Sequence, residues 1–168
     1  MKKIYFIIKH IKEIYGIKKM LFFYIPSLLI SAFPRKEEIF EPAFSLFTAL
    51  IVVEIAFIAI FYSGSNGVER AKNFSMNNTM NKKTNFYHYL LVKNFHSLFL
   101  KFIVLFLIFL MKIYKINGSI KIFLMNVNFG YDDFIFSLII YSIIITLDLM
   151  VSMYYFLWGN IIDDKAKK

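Results

Sequence analysis

Four long apolar segments alternate with shorter polar segments along this chain of 168 residues. The apolar segments are residues 20–33, 43–62, 95–111 and 134–158. An α-helix needs roughly 20 predominantly apolar residues to cross the hydrocarbon core of a bilayer, and the last three segments are close to or above that length. The pattern therefore predicts one all-α membrane domain, residues 1–168, with about four transmembrane helices.

The first apolar segment, residues 20–33, is the shortest of the four and contains Pro26. To cross the hydrocarbon core it must borrow residues 14–19, whose lysines can extend to the headgroups. Before it, residues 1–19 predict an amphipathic elbow helix that lies at the membrane surface, because isoleucines recur on one helical face and most lysines fall elsewhere. We expect this elbow to bend into a short span that is kinked near Pro26.

The polar connections differ in length. The longest, residues 63–94, has an Asn-rich middle at 73–85 that predicts a loop. From residue 85 the pattern becomes helical again before the third span begins. The connection 112–133 mixes polar and apolar residues and is too interrupted to cross the membrane.

Composition and charge support a membrane protein. Hydrophobic residues make up 59% of the chain and charged residues only 18%. A soluble fold of this composition would leave too much apolar surface exposed. The net charge of +9 is better explained by attraction to anionic lipids than by nucleic-acid binding, because the basic residues alternate with apolar runs.

The distribution of Lys and Arg predicts the topology. Fourteen of them lie on one side of the predicted topology and five on the other. The positive-inside rule places the more basic side in the cytoplasm. We therefore expect a multi-pass protein of the bacterial plasma membrane with both termini cytoplasmic.

Three ionisable residues fall inside the predicted spans: Glu54, Lys101 and Asp148. Counted from the predicted ends of their spans they lie at similar depths, so the two acids could pair with Lys101 inside the bundle. Such a cluster could serve as a proton or ion relay or as the polar lining of a translocation path. In the alternative interpretation Lys101 extends to the inner headgroups, and each acid is neutral or bonded to a neighbouring hydroxyl.

Motifs for catalysis are absent from the sequence. It contains no Gly-rich phosphate loop, no serine nucleophile elbow, no H-E-x-x-H pair and no cysteine. We therefore expect no enzymatic activity and no ATP hydrolysis by this chain. His88 and His96 are eight residues apart, but two histidines without a third ligand are more typical of interfacial polar residues than of a metal site. We predict no metal and no cofactor.

The order of these features resembles that of the permease subunits of type-2 ABC exporters, in particular the short bacterial ones. Those proteins begin with a basic elbow helix, as at residues 2–19, and continue with two spans joined by a short outer loop. They then carry a cytoplasmic segment that docks on the ATPase subunit, and residues 68–72 and 85–93 occupy the corresponding place. The residues that the resemblance assigns to this possible ATPase-contact segment are Glu69, Arg70, Lys72, Tyr87, His88 and Lys93.

Composition already predicts contact with the lipid bilayer, and the resemblance implies two possible protein partners, an ATP-binding subunit and a second permease subunit. It covers about residues 1–111, and common family members have six spans where this chain has four. The implied function is export of a hydrophobic or amphipathic compound such as a peptide. Two alternatives stay open, a stand-alone membrane immunity protein that binds a peptide toxin and a small ion-coupled transporter built around Glu54.

Overall fold

The computed structural model describes residues 2–31, 40–62, 66–77, 83–114, 119–122 and 127–166. Five helices account for most of them: α1 (Lys2–Ser31), α2 (Phe40–Tyr62), α3 (Asn66–Asn73), α4 (Phe86–Tyr114) and α5 (Tyr131–Ala166). Two antiparallel hairpins lie in the connections. They are formed by β1 (Ser75–Asn77) with β2 (Lys83–Asn85), and by β3 (Ser119–Ile122) with β4 (Val127–Gly130).

Four of the helices, α1, α2, α4 and α5, are long and apolar enough to cross a membrane. The prediction of an all-α membrane protein with four spans is therefore confirmed, and the chain is a multi-pass membrane protein. Successive spans run in opposite directions, so α3 and the β3–β4 hairpin lie at opposite ends of the bundle. We name these ends the α3 side and the β3–β4 side.

Helices α4 and α5 form the centre of the bundle, since α1 packs on both of them and α2 packs on α4. Towards the β3–β4 side, an apolar layer joins α2, α4 and α5, with Phe47, Val104 and Ile135 completely buried. A second apolar cluster joins α1 to α5 through Tyr15 and Ile145. The polar groups described below lie on the α3 side of the first layer.

Helix α1 changes direction at Gly16, where φ is 67° and ψ is 148°. Only glycine adopts this conformation readily, because a Cβ atom clashes with the backbone there. The break thus falls inside the predicted elbow and ten residues before Pro26, which the helix accommodates. The break in α1 is thus at Gly16, and residues 14–19 belong to the apolar span Ile8–Ser31, as predicted.

The other helices begin earlier or end later than the apolar segments indicated. Helix α4 begins at Phe86, before the apolar segment 95–111, as the helical pattern from residue 85 predicted. Asn85 caps it, since the backbone N–H of His88 donates to Asn85 Oδ1 at 2.8 Å, and a side-chain acceptor at this position stabilises a helix start. Helix α5 extends from Tyr131 to Ala166, beyond 134–158 at both ends.

The two long connections contain hairpins. The segment predicted as a loop at 73–85 includes the β1–β2 hairpin, which leads directly into α4. The connection 112–133 includes the β3–β4 hairpin, and no helix of its described residues could cross the membrane. The hairpins therefore lie at opposite ends of the bundle, outside the spans.

Candidate functional site

A closed polar cluster lies inside the bundle where α2, α4 and α5 meet. The Lys101 ammonium donates to Glu54 Oε1 at 2.6 Å, to Ser97 Oγ at 2.7 Å and to Thr146 Oγ1 at 2.6 Å. An ammonium has three donors, so all three are used. The Lys101 side chain is 0% exposed and that of Glu54 is 7% exposed. We call Glu54, Ser97, Lys101 and Thr146 the central cluster.

The central cluster lies deep in the membrane. Lys101 is near the middle of α4, whose 29 residues run from Phe86 to Tyr114. At the helical rise of about 1.5 Å per residue, this helix is about 43 Å long. A lysine at its middle cannot reach either headgroup layer. Of the two interpretations left open by the sequence, pairing of Lys101 with Glu54 is confirmed and extension of Lys101 to the headgroups is wrong. Glu54 Oε1 also accepts a hydrogen bond from the Ser97 hydroxyl at 2.8 Å, as the alternative expected for an acid in the span.

Asp148 belongs to a different cluster. Its Oδ1 accepts a hydrogen bond from Lys19 Nζ at 2.8 Å, and its Oδ2 accepts one from Lys93 Nζ at 2.5 Å. Lys93 also donates to Ser152 Oγ at 2.8 Å. The expectation that Asp148 pairs with Lys101 is therefore wrong. We call Lys19, Lys93, Asp148 and Ser152 the second cluster.

Aromatic rings complete the surroundings of the second cluster. Lys93 Nζ lies 4.6 Å from the ring centroid of Tyr89 and 5.5 Å from that of Tyr15, and Lys19 Nζ lies 5.7 Å from the centroid of Tyr15. A cation over an aromatic face is attracted by the ring quadrupole, by about 0.5–2 kcal/mol depending on desolvation. The rings thus stabilise two ammonium groups that share a single carboxylate.

Several buried polar atoms have no hydrogen-bond partner among the described residues. They include Glu54 Oε2, the Tyr15 hydroxyl and both ring nitrogens of His96, whose ring packs on Tyr15 with centroids 5.0 Å apart. Such atoms are costly in an apolar interior. The two clusters add hydrogen bonds and ion pairs to the apolar contacts between the helices. The unsatisfied buried atoms offset part of that stabilisation.

A short helix covers the end of the bundle on the α3 side. Val68 and Ala71 of α3 are buried, and Ala71 packs in one cluster with Phe86, Leu90 and Leu149. The other face of α3 exposes Glu69 and Lys72, and Lys72 Nζ lies 5.4 Å from the ring centroid of Tyr87. We call the exposed face of α3, with Glu69 and Lys72, the α3 platform.

The predicted ATPase-contact residues do not form one surface. Glu69 and Lys72 lie on the α3 platform, and the side chain of Arg70 lies outside the described residues. Lys93 is 1% exposed and bound to Asp148, so its assignment to a contact surface is wrong. The error came from the resemblance, which assigned residues 85–93 to the contact segment, whereas Lys93 in this part of α4 faces the inside of the bundle.

The histidines lie apart from each other. His88 Nε2 is 3.4 Å from His10 Nδ1 of α1, whereas His96 packs on Tyr15. Among the residues that the structure describes, no group of three or more His, Cys, Asp or Glu side chains could hold a metal ion. The pair His88 and His96 is thus not a shared site.

Sequence reasoning missed Lys19, Ser97 and Thr146 as members of the clusters. A signal was present in α4, where Lys93, Ser97 and Lys101 follow each other at intervals of four residues and so share one helical face. Lys19 carried no such signal, because its partner Asp148 is 129 residues away. The bond of Lys19 to Asp148 depends on the break at Gly16. The hydrophobic periodicity of the sequence does not reveal this break.

The fold and the site define a multi-pass α-helical membrane protein with two charged clusters inside its bundle. Comparison with protein-family models finds no match, and comparisons with curated proteins and with solved structures find no similar protein. The assignment to this class therefore depends on the fold and the physical chemistry of the chain.

Proposed function

We propose that this chain is the membrane-spanning subunit of an ABC-type exporter. In this proposal a separate ATP-binding subunit supplies the energy, a second permease subunit completes the path, and the exported compound is hydrophobic or amphipathic, such as a peptide. The observation that carries the proposal is the α3 platform. It directly follows the second span, where type-2 ABC permeases, which the chain resembles in layout, present their docking segment.

The packing of α3 supports a mechanical role for the platform. Ala71 is completely buried and lies in one cluster with Phe86 and Leu90, at the start of α4. Lys93 follows Leu90 by less than one helical turn and bonds to Asp148 of α5. A displacement of α3 by an ATPase would therefore be transmitted through α4 to the second cluster.

The apolar layer around Val104 supports the need for a second permease subunit. Phe47, Val104 and Ile135 are completely buried and fill the space between α2, α4 and α5 on the β3–β4 side. A solute that moved through the interior of one copy would have to break this layer. In our proposal the path lies between two subunits instead.

The structure favours neither alternative function. At Glu54 Oε1 the Lys101 ammonium occupies the place that a transported cation would take, with a 2.6 Å hydrogen bond. An immunity protein against a peptide toxin would need a binding surface, and no feature of the described residues marks one. The experiment described below also tests both alternative functions.

Purification of the tagged chain from its native membrane in a mild detergent tests the proposal. We expect the wild-type protein to recover an ATP-binding protein together with ATPase activity. The charge reversals Glu69→Lys and Lys72→Glu in one variant should lower this recovery at least fivefold, because both side chains lie on the α3 platform. The matched control is Asp132→Lys, an exposed acid on the β3–β4 side, and it should leave recovery unchanged.

Two outcomes would contradict the proposal. One is that no ATPase accompanies the wild-type chain, and the other is that the α3 and Asp132 variants lose recovery equally. A chain that recovers no ATPase but protects cells from a peptide toxin would support the immunity function instead. Loss of ion-driven uptake in Glu54→Gln, with assembly intact, would support the ion-coupled transporter.

A further inference from the structure

The lysines of the two clusters differ in how many of their hydrogen-bond donors are used. Lys101 uses all three donors inside the bundle, as described above. Among the described residues Lys19 makes one hydrogen bond, to Asp148 at 2.8 Å, and its other contacts are the ring faces of Tyr15 and Phe23. The Lys19 side chain is also 37% exposed. Its ammonium therefore has donors left for an acceptor outside the protein.

The charges of the two clusters also differ. Glu54 balances Lys101, so the central cluster is neutral, whereas Lys19 and Lys93 share the single carboxylate of Asp148, which leaves a charge of +1. A surplus charge in a low-dielectric environment is costly unless a counterion compensates it. Lys93 is 1% exposed and cannot meet an outside anion, so Lys19 is the member of the pair that can.

The depth of the second cluster matches that of lipid phosphates. Lys93 lies two helical turns from Lys101 towards the α3 side, or about 12 Å at the helical rise, and Lys101 is near the middle of α4. Half the hydrocarbon thickness is about 15 Å, which places the second cluster close to the boundary with the headgroups. Lys19 bonds to Asp148 of this cluster and therefore lies at the same depth.

The surface next to Lys19 is suited to acyl chains. Phe22 lies about one helical turn after Lys19 on α1 and Ile25 about one turn after Phe22, and both side chains are more than half exposed. A free phosphate ion would gain nothing from these side chains, whereas the chains of a lipid held by its phosphate would contact them. The apolar surface thus favours a lipid as the source of the anion.

We propose that Lys19, with Lys93 and Asp148 behind it, binds the phosphate group of an anionic phospholipid at the surface of the bundle. The lipid belongs to the leaflet on the α3 side. Its phosphate accepts hydrogen bonds from the Lys19 ammonium and balances the charge surplus of the second cluster. This site is independent of the proposed export function and of any ATPase.

Lipid titration of the purified full-length chain, followed by native mass spectrometry, tests this site. Phosphatidylglycerol and phosphatidylcholine with the same acyl chains are compared. We expect phosphatidylglycerol to bind at least tenfold more tightly, and Lys19→Met to lower its affinity to that of phosphatidylcholine. The matched control Lys18→Met removes the same charge from the neighbouring, exposed position and should change the affinity less than threefold.

A second variant separates binding from loss of structure. Asp148→Asn removes a hydrogen-bonded acid from the bundle but raises the charge of the second cluster from +1 to +2, so phosphatidylglycerol should bind as tightly as before or more tightly. Reduced binding in this variant would contradict the proposal. Equal losses in Lys18→Met and Lys19→Met would also contradict it, because they would indicate diffuse attraction to a basic surface.

The source of the phosphate is tested by competition. Phosphatidylglycerol should stay bound when inorganic phosphate is added at millimolar concentration, because the free ion lacks the acyl-chain contacts. Displacement by inorganic phosphate at that concentration would overturn the assignment to a lipid and would indicate a site for the free anion.

Discussion

At the residue scale, the central cluster shows why an intramembrane lysine need not reach the headgroups. Lys101 lies too far from both ends of α4, and Glu54, Ser97 and Thr146 supply one acceptor for each of its donors. An isolated charge at this depth would be far more costly than the same charge in a hydrogen-bonded pair. Lys101 therefore needs a carboxylate partner at this depth, whether or not the pair also has a function.

Removal of both partners should cost less than the sum of the two single removals. We expect Lys101→Met to lower the free energy of unfolding by about 3–5 kcal/mol, because it leaves the Glu54 carboxyl buried without its cation. The double variant Lys101→Met, Glu54→Gln should be less destabilised than the sum of the two single variants by at least about 1 kcal/mol. Reversible denaturation in detergent micelles measures these values.

The control for this cycle lies on the same helix. Lys112 Nζ pairs with Glu41 Oε1 at 3.3 Å, but the two side chains are 55% and 80% exposed. Exposed pairs contribute about 0–1 kcal/mol, so Lys112→Met should have little effect. Additive single effects at Lys101 and Glu54, or an equal cost at Lys112, would show that the central pair does not stabilise the bundle.

At the element scale, α1 joins two helical segments at one residue. The part after Gly16, residues 17–31, is about 22 Å long at the helical rise, so the span Ile8–Ser31 needs residues on both sides of the break to cross a hydrocarbon core of about 30 Å. The break brings Tyr15 and Lys19, one on each side of it, next to Asp148 and Lys93 of the central helices. The position of the second cluster thus depends on the conformation of a single glycine.

Substitution of that glycine tests this dependence. Gly16→Ala should lower the free energy of unfolding by about 1–3 kcal/mol, because alanine is strained at this φ and ψ. If α1 straightens to relieve the strain, Lys19 moves away from Lys93, so the positive charges of the second cluster no longer lie together and phosphatidylglycerol binding should fall as well. The matched control is Gly130→Ala, since Gly130 does not have a positive φ. Equal effects of the two substitutions would contradict the role given to the break.

The same scale shows what the sequence could and could not predict. Apolar runs located all four spans, and the similar depths of Glu54 and Lys101 indicated that they could pair, while extension of Lys101 to the headgroups stayed open. The helical pattern from residue 85 also predicted the early start of α4, which Asn85 caps. The resemblance, however, assigned Lys93 to a contact surface, and the partners of Asp148 were missed because only tertiary packing brings Lys19 and Lys93 to it.

At the scale of the whole molecule, charge is distributed unevenly along the bundle axis. The two clusters and the α3 platform lie on the α3 side of the apolar layer around Val104, and the basic residues of the connections follow the same asymmetry. Lys19 and Lys93 are bound to Asp148, so they belong to the bundle and not to the connections. Without them the count of Lys and Arg is twelve on the α3 side and five on the other, and the bias persists.

This bias predicts that the α3 side, with both termini, faces the cytoplasm. Because the chain contains no cysteine, a single introduced cysteine reports its own location. Lys72 on α3 and Lys112 near the end of α4 are both exposed and lie on opposite sides of the membrane. In intact cells a membrane-impermeant maleimide should label Lys112→Cys, whereas Lys72→Cys should react only after permeabilisation. The reverse pattern would invert the topology and would place the α3 platform beyond the reach of a cytoplasmic ATPase, which would exclude the exporter function as well.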